Sequence, residues 1–413
     1  MQSAIVVGLP WLRSGTSRVM QMQLSHLRSF GYKTVFAAVP SSYTSGFNAD
    51  SWCDFHRMSS ELGADEIVIS GFEELGRIRQ FTEATKAWAK RYNAMHWALA
   101  PAHFAVPAPR IEAILAANNV CLILANHAYT MPFAVKLQRT LAQQGKKVPL
   151  LVVTHDVQSH ILLDRKASAP WPVGIQSEEK LLNTEIGWLG KSNALIHVSH
   201  NDLVFFKERL PEHQHHLMLP ALPAMDLAPF RRQGAPKRDL LYVGVDHFGN
   251  VESVKWYFNE VVPYFRGQPP KLTFVGQICR AKHVFIPQHL PTPWLEFVDD
   301  VDDIRPYYAS ARAALGAATN GRGISIKTIE AFAAGLPVIG TPLAFRGIPT
   351  EELSRAGIRS EVESHCFADL VKSLLNGGEW ESGARASREI YQRLFTPARS
   401  AATFAEILKS VGL

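Results

Sequence analysis

Short apolar runs alternate with stretches of helical periodicity along nearly the whole chain. An apolar run bounded by turn residues predicts a buried strand. Apolar positions recurring with the helical period predict an amphipathic helix. In the first half this places strands at Ala4–Val7, Thr34–Ala38, Glu66–Ile69, Val120–Ala125, Leu150–Thr154 and Ala194–Val198. Helices are expected at Arg18–Phe30, Phe81–Leu99, Pro132–Gln143, Glu178–Gly190 and His200–Arg209. The rhythm breaks at Pro220–Asp239, where prolines, two adjacent arginines and weak periodicity read as an interdomain linker. It then restarts with strand Leu240–Val245, helix Val251–Phe265, strands Leu272–Val275 and Leu295–Val298, helix Asp303–Ala309 and strand Ala313–Gly316. Helices at Phe367–Leu375, Ser382–Leu394 and Ala398–Val411 complete the pattern.

Strands alternating with helices predict an α/β protein whose parallel sheets are covered on both faces. Two such series predict two Rossmann-like, doubly wound domains. In open sheets of this kind ligands bind at the carboxyl ends of the strands, so the loops that follow strands are the places for chemistry.

Composition narrows the picture only a little. A length of 413 residues suits two domains, and 47% hydrophobic with 19% charged residues describes an ordinary globular protein. The formal charge of +6 favours anionic ligands, such as nucleotide diphosphates or anionic lipid headgroups. No dense Lys/Arg stripe with interleaved aromatics occurs, so nucleic acid is not an expected partner. Cys53, Cys121, Cys279 and Cys366 form no Cys-x-x-Cys pair, so neither zinc nor a disulfide framework is expected and free thiols fit a cytoplasmic setting. The first residues enter a strand without a basic n-region, so no signal peptide is expected. No apolar run is long enough to span a bilayer, so any membrane contact would be peripheral. Trp88, Trp97 and Phe104 with nearby cations are candidates for such contact, although burial in a core is the commoner use of such aromatics.

The most informative chemistry lies in residues 321–341, which read as a glycine loop, a short helix, a glycine stop and a buried strand. Gly321 and Gly323 lack a Cβ and let the backbone approach a ligand. A helix starting near Ile324 aims its free N–H groups at that loop, which makes an anion site suited to phosphate. Lys327 and Glu330 share one helix face. Lys327, Arg322 and the amides of Gly323, Ile324 and Ser325 would meet a phosphate. Glu330 stands in an apolar segment, where its lone pairs suit sugar or ribose hydroxyls.

The glycine loop, Lys327, Glu330-Ala331, Gly335-Leu-Pro-Val338 and Thr341 resemble the donor-site motif of GT-B glycosyltransferases, in particular the retaining family four. Most of the chain shares the likeness, most clearly from Leu240 onward. Tyr242 to Asn250, containing Gly244, resembles the family's opening C-domain strand and helix. Thr273-Phe-Val-Gly276 resembles the next strand and its glycine. Phe297 to Asp303 resembles the segment whose backbone, at Val298, holds the nucleobase. In the first half, Ser14-Gly15-Thr16 resembles the acceptor-side glycine loop, and Leu122-Ile-Leu-Ala-Asn-His127 resembles the strand end carrying the active-site histidine.

The resemblance implies a GT-B fold with the two strand rims facing a common cleft. Residues 1–222 would bind the acceptor, 238–396 would bind the nucleotide sugar, and the helix in 397–413 would cross back to the first domain. It implies a retaining hexosyltransferase using a UDP or GDP sugar, without a metal, and a glycan or lipid-linked acceptor. His127, Lys327 and Glu330 would be catalytic. Two departures stand out. The position eight before Glu330 holds Arg322 instead of the family's second acid. The arginine usual after the first C-domain strand is missing, with Asn250, Arg280 or Arg322 as candidate substitutes.

Other constellations read differently. Thr154 to His160 ends a strand and would line the acceptor site, but adjacent His155 and Asp156 would point apart. His213, His215 and His216 have the count of a metal site but sit in a proline-flanked turn, which reads as a solvated loop. Asp299, Asp300, Asp302 and Asp303 read as the cap and acidic first turn of a helix. Two rivals remain: a nucleotide-sugar epimerase on the same fold, and a non-catalytic nucleotide-binding scaffold.

Overall fold

The structure is a computed structural model that describes residues 1–9, 15–39, 57, 59–69, 109–117, 119–161, 163, 177–231, 238–376 and 379–413. The expected helix at Phe81–Leu99, and Trp88, Trp97, Phe104, Ser14 and Cys53, lie outside the described residues, as do the loop Ser41–Phe55 and all but the last two residues of the proline-rich stretch Pro101–Arg110. The chain divides into two compact units: Met1–Pro220 with Ala401–Leu413, and Ala221–Ser400.

Unit 1 is built on a seven-stranded sheet: β1 (Gln2–Gly8), β2 (Lys33–Ala38), β3 (Glu66–Ile69), β4 (Asn119–Asn126), β5 (Leu150–Thr154), β6 (Ala194–His197) and β7 (Gln214–Leu217). The spatial order is β3-β2-β1-β4-β5-β6-β7, and every pairing is parallel. Fully buried strands such as β5, Leu150 to Thr154, are continuous apolar runs because helices cover both faces. The core is mostly aliphatic, with Ile5, Val35, Ile123, Leu150 and Leu195 in contact with Phe133 and Phe206. Phe404, from the helix Pro397–Ser410, packs on His26 of the helix Gly15–Ser29 and on Phe30 just after it.

Unit 2 holds a five-stranded parallel sheet: β8 (Arg238–Val243), β9 (Leu272–Val275), β10 (Leu295–Val298), β11 (Ala311–Gly316) and β12 (Val338–Gly340). Its order is β10-β9-β8-β11-β12. The core here is aromatic, with Phe258, Phe274, Phe285 and Phe297 in ring contact. In both sheets the chain runs outward on one side of the first strand and returns on the other side. The reversal falls between β1 and β4 in unit 1 and between β8 and β11 in unit 2. That crevice, where loops part in opposite directions, is the usual ligand position of a doubly wound sheet.

Three elements differ from expectation. The helix expected over Val251–Phe265 is α-helical only at Phe248–Trp256, then passes through a π turn at Tyr257–Val261 and a 3-10 turn at Val262–Phe265. Pro263 has no N–H to continue the helical ladder. The expected linker is not free at its start: Leu222 N donates to Phe395 O at 3.1 Å, Tyr391 Oη donates to Leu222 O at 2.9 Å and Met225 N donates to Ala333 O at 3.1 Å, which holds this segment in unit 2. The third element is β7, taken up below. No helix among the described residues is long and apolar enough to cross a membrane.

Candidate active site

In unit 1, chemistry gathers at the carboxyl ends of β1 and β4. Thr16 opens the helix that follows β1, and its Oγ1 lies 3.1 Å from His127 Nε2. His127 follows β4 directly and has φ 68° and ψ 152°. That region suits glycine, and a side chain held there costs on the order of 1–3 kcal/mol. The surroundings over-determine it. His127 N donates to Val153 O at 2.9 Å, and its carbonyl accepts from Thr130 N at 3.2 Å and Thr130 Oγ1 at 3.0 Å. The ring stacks between Tyr129 and His155, with centroids 4.5 and 4.1 Å away.

Hydrogen bonds fix the protons of this cluster. Gln158 Nε2 donates to Asp156 Oδ1, because an ionised carboxylate only accepts. The same amide nitrogen therefore donates to His127 Nδ1, 3.2 Å away. The proton of His127 is left on Nε2, facing Thr16. Beneath it, Gln23 and Asn126 form a reciprocal amide pair with both bonds at 3.1 Å. Asn126 Nδ2 is turned toward Gln23 Oε1 and Val7 O, so its Oδ1 accepts from His155 Nε2 at 2.9 Å. Burial lowers the pKa of His155 to about 3. Burial, then the neighbouring His155, holds His127 well below the usual histidine value. Both rings are neutral. The buried Glu185 carboxylate accepts from Gln158 N at 2.8 Å and Ser159 N at 2.9 Å, which fixes the turn carrying these groups. Burial raises the pKa of Glu185 in spite of those donors.

Of the histidines expected in a solvated loop, His215 and His216 belong to β7, an edge strand paired with β6, and His213 stands just before it. An edge strand is buried on fewer sides and tolerates polar residues, so β7 lacks an apolar alternation. His215 Nε2 donates to Leu210 O at 2.8 Å, so its Nδ1 accepts from His197 Nε2 at 2.9 Å, and His197 Nδ1 accepts from Thr154 Oγ1 at 2.7 Å. This directed chain consumes the ring nitrogens. No group of metal-binding residues occurs among the described residues.

In unit 2 the corresponding crevice holds Lys327. Its Nζ donates to Asn250 Oδ1 at 2.7 Å and to Tyr242 Oη at 3.1 Å, and lies 4.7 Å from the Tyr242 ring centroid. These partners solvate the ammonium without neutralising it. Burial and then the Arg346 guanidinium lower its pKa to about 7, with Glu330 acting weakly in the other direction. Glu330 is buried one turn further along the helix Ile326–Ala333, whose first turn carries no acidic residue. Gly321 has φ 142° and Gly323 φ 61°, so the loop before this helix needs glycine.

Arg346 escaped the sequence reading. Its Nε donates to Arg322 O at 3.1 Å and its Nη1 to Leu343 O at 2.9 Å. The guanidinium lies so close to Gly321 that a Cβ there would stand 2.8 Å from Arg346 Cζ. The signal was present: Arg346 is a lone charge in an apolar run, as Glu330 is.

Other expected residues land as follows. Arg280 is engaged by Asp299 at 3.3 Å and Asp300 at 3.4 Å, so it is already neutralised. Arg322 is exposed and offers its carbonyl to Arg346. Asn250 is a partner of Lys327. Gly276, with φ 102°, packs on the Gly244 carbonyl, where a Cβ would stand 2.6 Å away. The Val298 carbonyl accepts from Gly276 N at 2.9 Å. The acidic cluster is not a first helical turn. The helix begins at Arg305, Asp303 binds its backbone N at 2.9 Å, and Asp299 and Asp300 serve Arg280.

Comparison with known proteins decides the architecture. Residues 237–376 match the family model of glycosyl transferases group 1. A glycosyltransferase from Rickettsia africae ESF-5 superposes with TM-score 0.63 at 14% identity, over 99% of this chain and 98% of its own. Anabaena Alr3699/HepE, in complex with UDP-glucose, gives 0.61 at 11% identity, over 99% and 100%. The fold is GT-B. The GT-B likeness extends to Phytolacca americana UGT2, complexed with UDP-2fluoro-glucose and pterostilbene, with TM-score 0.55 at 12% identity over 99% of each chain. Among curated proteins none matches this GT-B chain by sequence. The family match lies within the span of unit 2 and includes Lys327, Glu330 and Arg346.

Proposed function

We propose that the protein is a retaining glycosyltransferase that moves a hexose from a nucleotide-diphosphate sugar to a glycan or lipid-linked acceptor, without a metal. The observation that carries this reading is Lys327: a cation held by neutral partners beside a glycine loop, at the switch point of a sheet whose sequence matches glycosyl transferases group 1. Such a group stabilises the negative charge that grows on a leaving diphosphate. The UDP-sugar complexes of Anabaena Alr3699/HepE and Phytolacca americana UGT2 favour UDP as the nucleotide. Glu330 takes sugar or ribose hydroxyls.

On the acceptor side, in unit 1, the Thr16 hydroxyl is the group offered to a sugar. Buried His127 has both ring nitrogens engaged and acts by holding Thr16, so it is a positioning residue. His127 accepts at Nδ1 from Gln158 and is therefore no general base. A retaining course, in which the departing phosphate itself takes the acceptor proton, needs no base on this histidine. The non-catalytic and epimerase readings find no specific support in this geometry.

The test is binding and slow hydrolysis of a panel of UDP and GDP sugars by the wild type, Lys327→Ala and Glu330→Ala. One donor bound and hydrolysed, with loss in both variants, is the expected result. Nucleotide binding without turnover of any donor, even with glycan or lipid-linked acceptors supplied, would favour a scaffold. Failure to bind any nucleotide would end the donor-site assignment.

A further inference from the structure

We infer that Arg346 is the second cation of the donor pocket and grips the nucleotide diphosphate together with Lys327. The inference rests on the transferase reading above and adds a residue to it.

The argument begins with charge. Arg346 and Lys327 stand close enough for the guanidinium to disfavour the charged ammonium, and both are held among buried groups. Two neighbouring cations with reduced access to water are costly in the empty protein. Each donates only to neutral acceptors: Arg346 to the Arg322 and Leu343 carbonyls, Lys327 to Asn250 and Tyr242. No carboxylate forms an ion pair with either cation among the described residues, whereas Arg280 and Arg305 of the same unit both have aspartate partners. A cation pair left without an anion is what a polyanionic ligand would complete.

Geometry points the same way. The two carbonyl bonds fix Arg346 through Nε and Nη1, while its guanidinium lies against Gly321 in the loop leading to the helix of Lys327. Nη2 has no hydrogen-bond partner among the described residues, and a guanidinium edge suits two phosphate oxygens. Gly321 is required for this arrangement twice over, by its φ of 142° and by the contact a Cβ would make with Arg346. The two cations come from segments on either side of β12, so the pocket closes only when unit 2 is folded.

Binding of UDP, GDP and the matching nucleosides is measured by calorimetry for wild type, Arg346→Gln, Arg346→Lys and Gly321→Ala, across pH 6 to 9. Circular dichroism confirms that each variant is folded. Arg346→Gln is expected to weaken the bound diphosphate at least tenfold and leave the nucleoside nearly unchanged. Arg346→Lys should recover part of the loss, and Gly321→Ala should resemble Arg346→Gln. A second signature separates a ligand contact from a structural role. The groups facing Lys327 are Tyr242, Arg346 and Glu330, so removing Arg346 should move the pH midpoint of residual diphosphate binding upward. Equal losses for diphosphate and nucleoside, an unmoved midpoint, or unchanged diphosphate affinity would each overturn the role of Arg346. If the wild type bound neither diphosphate, the transferase reading itself would fail.

Discussion

The two switch-point sites use opposite electrostatics on similar sheets. In unit 1 the histidines of the rim are neutral: His127, His155 and His197 are buried, and their hydrogen-bond partners place their protons. In unit 2 the pocket is cationic, and its charges are solvated by neutral groups but not balanced. The first arrangement is complete without a ligand and defines geometry. The second is strained by charge until an anion arrives. A doubly wound sheet thus supplies the position, and the side chains at the crevice decide whether it orients or attracts.

The sharpest way to test this contrast is to delete one member on each side. Lys327→Met should reduce donor turnover by about 10²–10³-fold, the scale for losing a transition-state electrostatic contact. Thr16→Val should reduce transfer to the acceptor by roughly tenfold and leave UDP affinity unchanged. A comparable loss of UDP affinity in both variants would break the division of labour.

Acidity should separate the sites by sign. The folded pKa values of His155 and His197 are about 3, and that of His127 is also lowered. Between those values and about 6.5, the unfolded chain binds more protons. The stability contributed by the neutral histidines is thus full above about pH 6.5 and is lost as pH falls below it. Diphosphate binding should move the other way. It needs charged Lys327, whose pKa is about 7 in the empty pocket, so affinity should fall as pH rises above 7 and binding should take up a proton. Chemical denaturation and calorimetry in buffers of different ionisation enthalpy check the two halves.

Smaller effects concern the framework of unit 1. His127→Ala and His127→Gly lose the same ring, but only glycine relieves the backbone at φ 68°. The glycine variant should be the more stable by about 1–2 kcal/mol. Glu185→Gln places a donor on one of two positions that accept backbone N–H groups, and should cost about 1–2 kcal/mol in thermal unfolding.

What the chain discloses by itself depends on how local the determinant is. The motif at 321–341 is legible because its loop, Lys327 and Glu330 lie within three helical turns. The strands of both sheets are legible because burial on two faces makes them apolar runs. The strand β7 is hidden because its edge position leaves Gln214, His215 and His216 without apolar alternation. The partners of His127 are hidden for another reason: Gln23 meets Asn126 across 103 positions, and Thr16 meets His127 across 111. Arg346 likewise becomes a site residue only after β12 turns the chain back toward the glycine loop. The pairing of Arg280 with Asp299 and Asp300 spans 19 and 20 positions and is hidden in the same way.

The division of unit 1 into Met1–Pro220 and Ala401–Leu413 has a consequence for biosynthesis. The ribosome must make all of unit 2 before Phe404 can reach His26 and Phe30. At about 5–20 residues per second, that delay is on the order of 10–40 s. During it, the apolar patch meant for Phe404 stays uncovered on the nascent chain, and unit 2 has its whole sequence before unit 1 does. The later unit in synthesis is therefore the first able to finish folding, and chaperone demand should fall on the half made first.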